Sequence, residues 1–180
     1  MIFRHLISGC APRKAARLTR AVSGFLIVLF LGRLFPPAPA AAAERYRSDD
    51  WVTECEGDGL TAAARCTITV PFSDTVDGEK GSFALLVALD SGEIGIVGQP
   101  FPLKATLQVD GNPPIECRQP RYCLFPTEES LAAIAELDAG SLVLIEVVTA
   151  KRRFEFSLTP KGFQAGMDQI EAWGYNFSGE

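Results

Sequence analysis

Four cysteines, Cys55, Cys66, Cys117 and Cys123, lie behind a basic and then apolar N-terminal segment, and no histidine follows that segment. An even set of cysteines downstream of an export signal reads as two disulfides formed in an oxidising compartment. Two bridges constrain a short chain strongly, because they decide which strands are neighbours. The single histidine, His5, and the fifth cysteine, Cys10, both fall in the leader. Without histidine the rest of the chain lacks the commonest general base, most hydrolytic triads and many metal sites.

The leader has three parts. Residues 1–20 carry Arg4, Arg13, Lys14, Arg17 and Arg20 and no acid; an apolar run covers 21–31; Pro36-Pro37-Ala38-Pro39-Ala40-Ala41-Ala42-Ala43 follows. This is the order of a signal peptide, with cleavage expected after Ala43 and Ala40 as the alternative. The apolar run is shorter than the roughly 20 residues of a membrane span. Arg13-Lys14 is not a twin-arginine pair, which favours the general secretory route. Ile7-Ser8-Gly9-Cys10 copies a lipoprotein box, but the apolar stretch comes after it rather than before. The expectation is a cleaved signal peptide over 1–43 and one β-rich domain over 44–180 with no transmembrane span.

Removing the leader changes the charge. It holds six of the 17 Lys and Arg and none of the 22 Asp and Glu, so residues 44–180 carry 11 bases against 22 acids, a net charge near −11. Such a surface repels phosphate backbones and anionic lipid, which argues against nucleic acid as a partner.

The mature length suits a single core. Cys66, Ile68, Val70 and Phe72 alternate with Thr67 and Thr69; Leu103, Ala105, Leu107 and Val109 alternate with polar residues; so do Phe154, Phe156 and Leu158. Trp51 and Thr53 suggest a further strand beside the first of these, with Val52 and Cys55 disturbing the pattern. Residues 83–89 and 142–148 are apolar on both faces except at Glu146, which reads as central strands. Turn residues separate them at Asp77-Gly78, Asp90-Ser91-Gly92, Asp110-Gly111-Asn112-Pro113-Pro114 and Ala150-Lys151-Arg152. Short strands at this spacing predict an all-β fold, mainly an antiparallel β-sandwich or barrel.

Two helices interrupt the strands. One is expected near 127–138, capped by Thr127, with Glu128 and Glu129 at its positive end, Leu131, Ile134 and Leu137 inward and Gly140 as the stop. The other is expected near 160–173, with Thr159 as its cap and Pro160 in its first turn, and with Phe163, Met167, Ile170 and Trp173 at helical spacing. Gly162, Gly166 and Gly174 weigh against a long regular helix there.

Four cysteines allow three connectivities. Cys55 and Cys66 flank a Gly- and Ala-rich loop that suits a hairpin, and Cys117 and Cys123 close a short loop containing Pro120. The local pairing Cys55–Cys66 and Cys117–Cys123 is therefore expected. Zinc knuckles place about two to four residues between paired thiolates. The spacings here are wider, so neither a metal nor another cofactor is expected.

Asp50-Trp51 followed by Cys55, then Cys66 on a strand, resembles the start of the invasion-associated locus B family of exported bacterial proteins. Pro102-Leu103 leading into Leu107-Gln108-Val109-Asp110, then Cys117 and Cys123, is similar too. So is the end, Phe156-Ser157-Leu158 followed by Gly162-Phe163 and a helix. The resemblance covers nearly all of residues 49–172, and it rests on order and spacing rather than on one motif. It implies a periplasmic or surface-associated β-rich domain of Gram-negative bacteria, and it brings no established catalytic residues. The chain departs from the family in its acidic segment, 74–81, and at Thr159-Pro160, which bears on surface contacts more than on the fold.

Three functions compete for these residues. A non-catalytic envelope protein that binds another protein or a surface glycan fits the missing histidine, the paired cysteines and the end loops of a sandwich. A hydrolase working through paired carboxylates would draw on Asp74, Asp77 and Glu79, or on Glu128 and Glu129, yet acids adjacent in a turn or at a helix start are usually solvated. A carrier of small apolar ligands would use the apolar interior, which suits a filled core equally. The expectation is the first, with no enzymatic activity, in the periplasm, with outer-membrane association or secretion as variants; nothing in the pattern specifies an oligomer. Lys151, Arg152 and Arg153 form the one basic cluster. It is a candidate patch for lipopolysaccharide phosphate or an acidic partner, although a charged hairpin tip that discourages edge pairing is the preferred reading.

Overall fold

The computed structural model describes residues 43–57, 65–117 and 123–175. The expected signal peptide, except for Ala43, lies outside the described residues, as does Cys10. Ten strands and two helices occur among the described residues. Six strands form one sheet in the order β1 (Glu44–Ser48), β2 (Trp51–Glu56), β3 (Arg65–Val76), β4 (Glu79–Ala88), β5 (Glu93–Gln99) and β8 (Cys123–Leu124). Four form a second sheet in the order β10 (Arg153–Leu158), β9 (Val143–Val148), β6 (Lys104–Val109) and β7 (Ile115–Glu116). Every pairing is antiparallel. Of the two expected architectures the chain adopts the sandwich.

Strand alternation places the core between the sheets. Thr53, Ile68, Val87 and Ile94 are successive partners across the large sheet and face inward, as do Val70, Leu85 and Ile96. From the small sheet Ala105, Leu107, Val109, Val143, Ile145, Val147 and Phe154 face them, all buried. Phe72, Phe83, Phe154 and Phe156 interlock at one end, with Phe72 and Phe156 centroids 4.6 Å apart and Phe83 and Phe154 5.4 Å apart. Such ring pairs each add about 0.5–1.5 kcal/mol to what burial alone contributes.

Several expectations shift in detail. β2 keeps strict alternation, with Trp51, Thr53 and Cys55 inward and Val52 outward; the buried polar Thr53 is what disguises the pattern. Leu103 precedes β6 and is 55% exposed, because the chain is still crossing between the sheets there. β9 is central, as its apolar run predicts, but only Val143, Ile145 and Val147 are buried; its other face is open, with Leu144 42% exposed. β1 and β5 carry no clear alternation in the sequence, β5 because Gly95 and Gly98 dilute it.

Helix α1 (Thr127–Ala139) begins one residue earlier than a Thr127 cap requires: Pro126 holds the cap position, and no side chain caps the helix. Its buried residues are Ser130, Ala133 and Leu137, whereas Leu131, expected inward, is 56% exposed. The rotation is set upstream. Phe125 is buried and donates its N–H to the Ile94 carbonyl at 3.0 Å, so the helix leaves the edge of the large sheet at a fixed angle. Small residues then face the sheet, and the helix lies close on it.

Helix α2 (Lys161–Ala172) packs on β1 and β2, completing the cover that the small sheet leaves unfinished; Pro160, expected in its first turn, holds the cap position in place of Thr159, and no side chain caps it. Its inward face is Gly162, Phe163, Gly166 and Ile170. The two glycines are contact points rather than defects. A Cβ at Gly162 would strike the Trp51 ring and come within 2.6 Å of the Ser48 carbonyl oxygen, and one at Gly166 would strike Thr53 Oγ1. Trp51 answers by stacking edge-on to Phe163 at 5.7 Å and donating Nε1–H to the Thr159 carbonyl at 2.9 Å. Gly174, at φ +87°, ends the helix: the Tyr175 N–H reaches back to the Ile170 carbonyl at 3.2 Å.

Both disulfides form as the spacing predicts. Cys55 and Cys66 are direct cross-strand partners, Cα to Cα 4.1 Å. Cys117 and Cys123 are 5.1 Å apart. Their loop is short in sequence, but it runs from β7 in the small sheet to β8 in the large one, so this bridge ties the two sheets together.

Candidate functional site

The register gathers three connections at one end of the sandwich. β3 and β4 remain paired out to Val76 and Glu79, Gln99 at the end of β5 lies opposite Ser82, and Lys104 at the start of β6 lies opposite Val148. The turn at 77–78, the crossover at 100–103 and the turn at 149–152 therefore share this end.

Lys151, Arg152 and Arg153 belong to the third of these. Thr149, buried, organises the turn: its N–H donates to the Arg152 carbonyl at 2.8 Å, and its Oγ1 accepts the N–H groups of Lys151 and Arg152 at 3.3 and 3.1 Å. Each base then meets an acid of this chain. Lys151 Nζ lies 3.8 Å from Glu79, Arg152 lies 3.8 Å from Asp77, and Arg153 lies 3.1 Å from Glu146. The triplet is thus part of a mixed-charge surface rather than an isolated basic patch. Exposed pairs of this kind contribute only about 0–1 kcal/mol each and exchange readily for other partners.

The acids weighed for catalysis fall in two places, at the paired ends of β3 and β4 with the turn between them, and at the start of α1. Asp77 and Glu79 face the basic turn, Asp74 accepts the N–H of its neighbour Thr75 at 2.7 Å, and Glu128 and Glu129 sit in the first turn of α1. Among the described residues no three His, Cys, Asp or Glu side chains are grouped as a metal site. Cys55, Cys66, Cys117 and Cys123 are all bridged.

The sequence reading missed the crossover. Pro100, Phe101, Pro102 and Leu103 alternate in burial, with Pro102 inside and Phe101 and Leu103 outside at 44% and 55% exposed. The Leu103 N–H donates to the Val148 carbonyl at 2.8 Å, anchoring the crossover to the basic turn. An aromatic between two prolines was the available signal. Leu103 masks it, because it also continues the apolar alternation of β6. The result is a fixed end surface on which two large apolar side chains stand beside paired charges.

One carboxylate is tuned elsewhere. Asp110, after β6, accepts the Ser141 N–H and Oγ–H and the Leu142 N–H at 2.8–3.1 Å, and these bonds hold its carboxyl below the usual range. It is a clamp between two loops, exposed and acceptor-only, with none of the features of a general acid.

No helix among the described residues is long and apolar enough to cross a membrane. No family model, no curated protein and no solved structure matches this sequence.

Proposed function

We propose that this chain is an exported, non-catalytic binding protein of the bacterial cell envelope, similar to the invasion-associated locus B family, which contacts another protein or a surface component through the hairpin end of its sandwich. The observation that carries the reading is the pair Phe101 and Leu103, large apolar side chains held in solvent by a crossover whose proline is buried and whose backbone is anchored. Large apolar side chains held in place at an exposed end, with exchangeable charge pairs on the neighbouring turns, are the kind of anchor through which binding surfaces concentrate their affinity. The two disulfides support an oxidising location, in the periplasm or beyond it. The interlocked phenylalanines leave the inter-sheet space to side chains, which favours binding by the surface over carriage of a ligand inside.

The test is retention of a partner. The protein, produced from its full chain and purified oxidised, is immobilised and exposed to envelope extract, with a Phe101→Ser/Leu103→Ser variant alongside. The variant is expected to lose the retained component by about tenfold or more in affinity, the loss typical of central apolar anchors. Equal retention by both proteins would contradict the assignment of this end. Glycan or ester hydrolysis abolished by one carboxylate substitution in a folded protein would contradict the non-catalytic reading.

A further inference from the structure

A second surface lies away from the hairpin end. Helices α1 and α2 run side by side, tied at one end by Gln164 Nε2 donating to the Gly140 carbonyl at 3.0 Å. Between them and the turn after β4 is an open groove of about 850 Å³. Its apolar lining includes Leu89, Ile134, Met167 and Ile170, with the exposed Leu131 along one side. Its charged residues are Asp138, Asp168 and Glu171, and among the described residues no Lys or Arg lines it.

The placement of these acids is unfavourable for the helices that carry them. Asp138 stands in the last turn of α1 and Glu171 in the last turn of α2, and neither last turn holds a base. A helix C-terminus is the negative end of the helix dipole, where cations stabilise and carboxylates destabilise. Nothing in the described groove offsets this, and the two helices together carry six acids, Glu128, Glu129, Glu136, Asp138, Asp168 and Glu171, against one base, Lys161. An apolar floor calls for apolar side chains, and a rim of uncompensated carboxylates calls for cations beside them.

We propose that this groove binds the cationic amphipathic segment of a partner protein, its apolar face on Ile134, Met167 and Leu131 and its Lys or Arg side chains on Asp138, Asp168 and Glu171. The site is independent of the hairpin end. The carboxylates come from both helices, Asp138 from α1 and Asp168 and Glu171 from α2, and form no metal cluster, so several cationic side chains of one segment fit them better than a single ion.

The test uses the oxidised protein and, as probe, a short Leu/Lys peptide of helical repeat, with its Leu/Glu counterpart as control. Because the protein is acidic overall, a remote variant of equal charge is needed. Asp138→Asn/Asp168→Asn/Glu171→Gln is compared with Asp49→Asn/Glu54→Gln/Glu155→Gln, and both with Leu131→Ser. The groove variant is expected to bind the Leu/Lys peptide about tenfold more weakly, the remote variant within about twofold of the unaltered protein, and Leu131→Ser several-fold more weakly. The groove variant should also melt at a higher temperature, since two carboxylates have left helix C-termini, which separates lost binding from lost folding. Equal weakening in the groove and remote variants would reduce the effect to net charge and overturn the proposal. Unchanged binding by Leu131→Ser, or equal binding of the Leu/Glu peptide, would also overturn it.

Discussion

Asp110 shows how much a single side chain organises in this domain. It is at φ +50°, a conformation that Asp tolerates better than most residues, and its carboxylate fixes the start of the segment leading into β9, 31 residues away. Its pH signature follows from the direction of its shift. Hydrogen bonds lower the folded pKa below the ordinary 3.8, so the contribution is fully present above that value and is lost as pH falls through the lower, folded one. Asp110→Asn keeps the backbone preference but removes the charge. It should melt below the unaltered protein at neutral pH, and the gap should close in scans taken progressively below pH 3.8. A gap that stayed constant with pH would mean that the carboxylate charge is irrelevant there. The sequence marks Asp110-Gly111 plainly as a turn. What it does not reveal is the partner, since nothing local connects position 110 to Ser141.

At the scale of elements, the glycines of α2 separate propensity from packing. Gly162→Ala would raise intrinsic helix propensity by up to about 1 kcal/mol, yet its Cβ must displace the Trp51 ring and approach the rigid Ser48 carbonyl. Overpacking of this kind costs about 1–3 kcal/mol, and a backbone oxygen cannot rotate away. The net prediction is destabilisation by about 1–2 kcal/mol in denaturant titration; a stabilised variant would show that α2 does not seat on β1 and β2 as described. The aromatic stripe of α2 was legible because Phe163 and Ile170 recur at helical spacing. The glycines were not, because the strand they press against is fixed by tertiary contact. Leu131 fails for a related reason. Periodicity gave α1 an apolar face, but the buried Phe125 sets the rotation, so Ser130 and Ala133 turn inward instead. That rotation also leaves Leu131 on the groove and makes the site invisible to pattern alone.

For the whole molecule, the two bridges act at different levels although both are local in sequence. Cys55–Cys66 reinforces one hairpin, whereas Cys117–Cys123 joins the sheets, and Cys117 Sγ also lies 3.0 Å from the Ala105 N–H in the buried face of β6. Each closes a short loop and is expected to stabilise by roughly 2–3 kcal/mol in the chain-entropy model. Cys117→Ser/Cys123→Ser should in addition loosen the sheets against each other, seen as faster amide exchange in β6 and β8 than Cys55→Ser/Cys66→Ser produces. Cysteine spacing made the pairing readable, and strand alternation made the sandwich readable. Which strands belong to which sheet was not, because nothing local marks 100–103 as the place where the chain leaves one sheet for the other. Non-reducing peptide mapping of the protein recovered from the host's envelope tests the proposed export and the two bridges together. The expected result is an N-terminus at Glu44 or Ala41 with cystines Cys55–Cys66 and Cys117–Cys123; intact Met1 with free thiols, or a Cys55–Cys117 link, would overturn that reading.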